Sequence, residues 1–208
     1  MEQTTSPSFR QMPVNQFLDA LGSSRPTPGG GAAACILGAE ACALAEMASR
    51  LTLSNPDYAA LHEKARVWIQ IFGDARSIML DLADEDASNF QALMDTMRLP
   101  KTAPGRAEAV QKGLEKAAEA PMQTAQTLAD MLPLFTTVLQ EGNKNLISDS
   151  LIALQCAITA VRASILNVRI NLKYMKNEFF VRETAEAIRR WEDAVSAADA
   201  VLTYQVTL

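Results

Sequence analysis

An acidic run, Asp84–Asp86, stands inside a long stretch of residues with helical spacing. Asp86 shares one helical face with apolar residues that recur at steps of three and four. These are Leu61, Ala65, Trp68, Phe72, Ala75, Met79, Leu82, Phe90, Leu93 and Met97. No cation lies three or four residues from Asp86, and burial without a cation raises the pKa of a carboxyl group. We therefore expect Asp86 to serve as a general acid or base near neutral pH.

Asp86 also has a structural interpretation, in which a buried acid caps or pairs with a distant helix. A similar choice arises for Asn167 and Asn171, which are four residues apart in a helical stretch that we expect to be buried almost all round. Buried amides need hydrogen-bond partners, so either another helix or a bound polar molecule must supply them. Arg169 faces another side of the same helix.

Three glycines, Gly29–Gly31, follow Pro26-Thr-Pro28 and precede a run of small residues. The prolines restrict the backbone, whereas the glycines permit tight turns and close contacts. Because a helix begins here, its free N–H groups can hold a carboxylate or the polar edge of a ligand. The structural alternative is a tight turn followed by a close helix crossing, since Gly30, Ala34, Gly38 and Cys42 recur every four residues.

Periodicity near 3.6 dominates the chain and predicts an all-α bundle of about six helices, two of them long. The expected helices cover 13–21, 29–53, 56–97, 106–141, 149–176 and 178–204. We expect the fourth to be broken or kinked near Pro121 and Pro133. Ser148 or Asp149 is expected to cap the fifth. We predict one domain over 1–208, with 1–12 as a flexible tail.

Composition excludes several classes of protein. The net charge is −5 and no basic stripe is present, so nucleic acid is not expected as a partner. The run 29–48 is long and apolar but contains Glu40 and Glu46, which predicts a buried helix rather than a membrane span. Three cysteines without metal-ligand spacing, and no apolar leader, predict a cytoplasmic protein with no metal site.

Four segments, in order, resemble one known family over about 17–180. They read PTPGGGAAACILGAEACALAEMASRLT, LADEDASNFQALMDTMRLPK, EGNKNLISD, and NVRINL followed by NEFF. Together they are similar to the formiminotransferase-cyclodeaminase C-terminal domain family. That family contains methenyltetrahydrofolate cyclohydrolases and formiminotetrahydrofolate cyclodeaminases.

The resemblance implies an all-α homodimer that binds a folate in a cleft bordered by the glycine loop, Pro28 to Gly31. It places the key acid in the segment 84–87, where the helix-face argument selects Asp86 and leaves Asp84 as the second candidate. Asn143 and Asp149 match family motif positions, although Asp149 as a plain N-cap is an equal alternative. Five further residues are candidates for substrate binding: Asn167, Asn171, Arg169, Lys101 and Lys144. The last three are cations and are candidates for pairing with the glutamate tail of the folate.

The resemblance implies hydrolysis of 5,10-methenyltetrahydrofolate to 10-formyltetrahydrofolate, with no cofactor beyond the folate. Two alternatives stay open. One is a formiminotetrahydrofolate cyclodeaminase that releases ammonia. The other is a diverged folate-binding paralogue with another activity, or a scaffold that keeps only the helix packing.

Overall fold

The computed structural model describes residues 8–206, without the side chains of residues 204–206. The described part is all-helical and contains no strand. Its α-helices are α1 (Val14–Leu21), α2 (Gly30–Ser54), α3 (His62–Arg98), α4 (Arg106–Glu141), α5 (Ile147–Leu172) and α6 (Glu178–Val206). The predicted all-α class and the number of helices are thereby confirmed, and α3 and α4 are the two longest.

The helices run up and down, so that the start of α2 lies beside the C-terminal half of α3, the start of α4 and the end of α5. Helix α2 is the central element, because it packs against α3, α4 and α5. Its small residues allow this. A Cβ at Gly38 would lie 2.8 Å from the Leu128 side chain and 3.2 Å from the Met79 sulfur, so a larger residue there would require these side chains to shift.

The long helix predicted over 56–97 is divided in the structure. Pro56–Leu61 forms a 3-10 helix, in which Tyr58 departs from helical angles, and α3 follows. The predicted apolar face of α3 is buried from Ala65 to Leu82 and again at Leu93, but Phe90 and Met97 are each 37% exposed. The bundle therefore opens toward the C-terminal end of α3, just beyond Asp86.

Helix α4 continues through both of its prolines, so the predicted break does not occur. Pro121 is buried and has no N–H, which leaves the carbonyl of Ala117 without its usual helical donor. The Asn171 side chain donates to that carbonyl across the helix contact (3.4 Å). A side chain of α5 thus replaces the bond that the proline removes.

The predicted start and cap of α5 are wrong, and so is its predicted burial. Helix α5 begins at Ile147, after Leu146, and neither Ser148 nor Asp149 caps it. Nor is α5 buried all round, because Ile152, Leu166 and Ile170 are more than half exposed. In this chain, the helix presents an apolar stripe to solvent.

Residues 8–12, which we expected within a flexible tail, instead fold against α3. Phe9–Gln11 forms a 3-10 helix, and the Phe9 ring packs edge-on against Phe17 of α1 at 5.5 Å. Arg10 donates to the Ser77 carbonyl and pairs with Asp81. The rest of the expected tail lies outside the described residues.

Two helices, Gly30–Ser54 and Lys144–Leu172, are apolar and long enough to cross a membrane by composition alone. About half or more of the apolar window of each is buried inside the bundle. This burial is what a core helix of a folded bundle requires.

Candidate active site

Asp86 lies where α3 meets the first turn of α2. Its carboxylate is so close to Gly31 that a Cβ there would stand 2.1 Å from Oδ1. Gly31 and Ala32 belong to the first turn of α2, where backbone N–H groups have no helical partner. Glycine is therefore required at position 31 for the close approach of the carboxylate.

Burial raises the pKa of Asp86 from 3.8 to about 6, and the backbone N–H of Ala32 only partly offsets this. No arginine or lysine contributes to the shift. The carboxyl group thus exchanges its proton close to neutral pH, as general acid/base catalysis requires. The bond to Ala32 also fits the structural interpretation, in which Asp86 caps a distant helix. The same geometry is compatible with a catalytic role for Asp86.

A cavity of about 240 Å³ opens at this carboxylate. Its walls come from the loop before α2, from α3, from the start of α4 and from the end of α5. They include Pro26, Thr27, Gly29, Gly30, Gly31, Asp86, Phe90, Ala117, Asn167, Ile170 and Asn171. The structure therefore brings the glycine loop, the acid and both asparagines together, as the sequence predicts.

The two asparagines differ in how far the protein satisfies them. Asn167 donates to the carbonyl of Ala163 in its own helix (3.0 Å), while its Oδ1 faces Gly30. Asn171 donates to the Ala117 carbonyl. No described residue donates a hydrogen bond to the side-chain oxygen of either asparagine, so each combines a structural bond with an available acceptor.

Asp84 does not line this cavity. It accepts hydrogen bonds from the Ser8 hydroxyl and from the N–H of Phe9 (2.7 Å), so it fastens the N-terminal segment to α3. Asp84, our second candidate for the key acid, is therefore engaged in holding the N-terminal segment. Asp84 and Asp86 are only two residues apart, but Asp84 holds the N-terminal segment whereas Asp86 lines the cavity.

Six predicted binding residues lie outside the cavity. Pro28 is buried in the wall of an adjoining groove. Lys101 is exposed in the turn after α3, and Arg169 points to α6, where it pairs with Glu192 at 2.9 Å. These three residues lie at the same end of the bundle as the cavity, but their side chains do not line it.

The segment with Asn143, Lys144 and Asp149 lies at the other end of the bundle. The Asn143 N–H bonds to Thr52 near the end of α2 (3.1 Å), whereas Gly31 lies in the first turn of that helix. Twenty-one residues of helix separate these ends by about 30 Å. Lys144 bonds to the Gln140 carbonyl, and Asp149 stands in the first turn of α5. Within this chain, these three predicted binding residues cannot reach Asp86.

Sequence reasoning missed Arg25 and Phe90. Phe90 was assigned to the core, yet its ring borders the cavity. Arg25 precedes Pro26 and lines the adjoining groove. The only sequence signal for Arg25 is its position immediately before the proline and glycine loop.

A carboxyl group titrating near neutral pH at a small polar cavity, in an all-α bundle, defines a small-molecule enzyme that uses acid/base chemistry. Residues 13–190 match the sequence profile of the family described as formiminotransferase-cyclodeaminase. The chain belongs to this family.

Relatives of both activities are similar to this chain. The methenyltetrahydrofolate cyclohydrolase of Methylorubrum extorquens is 32% identical over 174 residues, 82% of this chain and 84% of that protein. The formimidoyltransferase-cyclodeaminase of Rattus norvegicus is 31% identical over 84% of this chain, which spans only 33% of that protein.

A solved structure supports the fold. The formiminotetrahydrofolate cyclodeaminase of Thermotoga maritima superposes with a TM-score of 0.86 at 29% identity, covering 94% of this chain and 96% of that one. The predicted family and its all-α fold are thereby confirmed.

Proposed function

We propose that the protein is a folate-dependent one-carbon enzyme that hydrolyses 5,10-methenyltetrahydrofolate to 10-formyltetrahydrofolate. The observation that carries this proposal is Asp86, whose pKa is raised to about 6 at the cavity between the glycine loop and the two asparagines. The similarity to a cyclohydrolase over most of both chains supports the choice of reaction.

The chemistry needs one group that takes and returns a proton. Water adds to the one-carbon centre of the amidinium cation while the Asp86 carboxylate accepts a proton from it. The bond from that carbon to N5 then breaks, and N5 receives the proton from Asp86. The hydroxyl proton of the adduct passes to solvent as the formyl carbonyl forms. The sum is one water consumed and one proton released.

The cyclodeaminase reaction is the second candidate, because relatives with that name match as well. There N10 attacks the formimino carbon and ammonia departs, which again requires proton removal followed by proton delivery. The same carboxyl group serves both steps.

The test is a spectroscopic assay of the purified protein with methenyltetrahydrofolate and, in parallel, with formiminotetrahydrofolate. We expect turnover of the first, strongly reduced in Asp86→Asn and much less affected in Asp84→Asn. Turnover of formiminotetrahydrofolate alone assigns the cyclodeaminase reaction. Binding of reduced folates without turnover indicates a diverged paralogue or a scaffold. Full activity of Asp86→Asn would contradict the role of Asp86.

We further propose a homodimer formed through the exposed stripe of α5 and the adjacent face of α2. Leu166 is 66% exposed, and Met47 and Leu51 of α2 are also exposed. Apolar surface of this extent favours association, and a two-fold axis lets one surface pair with itself. Ile170 belongs both to the stripe and to the cavity wall, so the interface would border the site.

Light scattering coupled to size-exclusion chromatography tests the dimer. We expect a dimer at micromolar concentration and a monomer for Leu166→Glu. A wild-type monomer at that concentration would contradict the proposal. The remaining predictions are a cytoplasmic location and no cofactor beyond the folate. The former is supported by three cysteines that are free of disulfides.

A further inference from the structure

An open groove adjoins the Asp86 cavity on the other side of the loop 25–28. Its volume is about 1000 Å³, and Thr27 lines both spaces. The other walls come from the N-terminal 3-10 helix, α1 and the C-terminal half of α3. Side chains of varied chemistry face it, namely Phe9, Met12, Gln16, Arg25, Ser88 and Gln91. A molecule that extends from the cavity past Thr27 enters this groove.

The Asp86 cavity is too small for a whole folate. It measures about 240 Å³, whereas pockets for ligands of this size occupy about 300–1,000 Å³. A folate joins a reduced pterin ring, through an aminobenzoyl group, to a glutamate. If the ring that carries the one-carbon unit lies at Asp86, the aminobenzoyl group and the glutamate need further space. The groove beyond Thr27 offers it.

Arg25 supplies the groove with a positive charge that no described residue neutralises. Its Nε donates to the Ser23 hydroxyl (3.3 Å), and no described residue bonds to its two terminal nitrogens. The two acids that line the groove are engaged elsewhere. Asp84 accepts from Ser8 and Phe9, and Asp95 pairs with Arg98 at 2.8 Å. The cation is therefore available to an anionic ligand.

The other candidate cations are less suitable. Arg169 is paired with Glu192, Lys144 lies at the far end of the bundle, and Lys101 lines neither space. Lys116, at the start of α4, pairs with Glu85 and Glu119. Arg25 is the cation that directly adjoins the wall shared with the cavity.

We propose that this groove binds the aminobenzoylglutamate half of the folate and that Arg25 pairs with a carboxylate of its glutamate. The planar guanidinium suits a carboxylate because it donates two parallel hydrogen bonds. The Phe9 ring, held in place by Phe17 and by the bonds to Asp84, offers an apolar surface to the benzoyl group. This inference rests on the proposed function, since it assumes a folate at Asp86.

Calorimetry with two ligands isolates the glutamate. Tetrahydrofolate and tetrahydropteroate share the ring and the aminobenzoyl group, but only the first carries the glutamate. We expect Arg25→Gln to weaken tetrahydrofolate binding about five- to tenfold, as for a lost charge-assisted hydrogen bond at a half-open site. Tetrahydropteroate binding should not change, and Arg25→Lys should restore part of the loss.

Two further variants test the groove and the specificity of the charge. Ser88→Trp places a large ring in the groove and should weaken both ligands. Arg66→Gln removes the same charge at a position about 30 Å from Ser88 along α3. It should not alter the binding of either ligand. For active protein, Arg25→Gln should raise KM for the glutamate-bearing substrate and leave kcat unchanged, because it removes binding that ground state and transition state share.

The outcomes separate this inference from the proposed function. If the wild type binds both ligands and Arg25→Gln changes neither, or changes both equally, the inference is wrong and the function of Asp86 is untouched. Unaltered binding by Ser88→Trp would also overturn it. If the wild type binds neither ligand, the proposed function fails and the inference fails with it.

Discussion

Glu46 and Asp86 both lie in the contact between α2 and α3, yet the protein surrounds them differently. The Glu46 side chain, only 10% exposed, pairs with Arg50 at 2.6 Å and with Arg76 at 3.1 Å. Burial raises the pKa of Glu46, but the two arginines outweigh this and hold it below its ordinary value. Asp86 has no such cation, and its pKa is raised to about 6.

This difference shows how one helix contact serves two purposes. A carboxylate flanked by arginines stays charged and stabilises the bundle. A carboxylate that faces one backbone N–H and a cavity keeps a proton affinity suited to catalysis. The comparison predicts opposite consequences when each charge is removed.

The largest expected effect is on the rate. Asp86→Asn keeps the shape of the side chain but removes the proton acceptor, so kcat should fall by about 10²–10⁴-fold. Glu46→Gln should change kcat less than about threefold, because Glu46 touches no cavity wall. Steady-state kinetics on methenyltetrahydrofolate measure both. Equal losses in the two variants would abolish the distinction between the two acids.

The next effect concerns the glycine beside Asp86. Gly31→Ala places a methyl group about 2.1 Å from the carboxylate oxygen and must displace it. A misplaced catalytic group of this kind costs on the order of 10²-fold in kcat. Gly30→Ala is the matched control, since its Cβ would meet Asn167 at an ordinary 3.7 Å. Similar kcat values for the two variants would refute the close packing at position 31.

Removing the charges should move stability in opposite directions. Glu46→Gln leaves two arginines without their partner and should lower the free energy of unfolding by about 1–2 kcal/mol. Asp86→Asn removes a charge held against its preference, so it should raise stability at pH 7.5 by about 1–2 kcal/mol. Urea unfolding gives both values. A loss of stability in Asp86→Asn would indicate that capping of α2 outweighs desolvation.

The smallest effect is the pH dependence of stability. The pKa of Asp86 rises from 3.8 to about 6 on folding, so between these values the native state binds more protons than the unfolded chain. Its contribution to the free energy of unfolding therefore declines as the pH rises from about 4 to about 6, and stays constant above. The difference between wild type and Asp86→Asn should vanish toward pH 4. A difference independent of pH would mean that the pKa is not raised.

The sequence predicted the helices and the position of Asp86 on an apolar helix face, because both depend on local periodicity. Spacing by threes and fours placed Asp86 among apolar residues, and the helices α1 and α4 were anticipated to within one residue. The division of the helix at Tyr58 and the continuity of α4 through Pro121 depend on contacts between helices. No local pattern reports them.

The binding residues were predicted less well for a related reason. Asn167 and Asn171 reach the cavity because α5 ends beside the start of α2, a relation that follows from the up-and-down topology. Asn143 and Lys144 were predicted from a segment that resembles the family, but they lie at the other end of the bundle. Similarity identifies which residues belong to the family pattern, whereas only the packing of the helices shows which of them meet.

The bond from Asn171 to the Ala117 carbonyl has an evolutionary consequence. Pro121 removes the donor that this carbonyl would otherwise have, so the proline and the asparagine form a conditional pair across α4 and α5. Replacing Asn171 is costly while Pro121 is present, because the carbonyl then loses its partner. Once position 121 carries an N–H, this structural cost of replacing Asn171 disappears. The cost of a substitution at position 171 of this chain therefore depends on the residue at position 121.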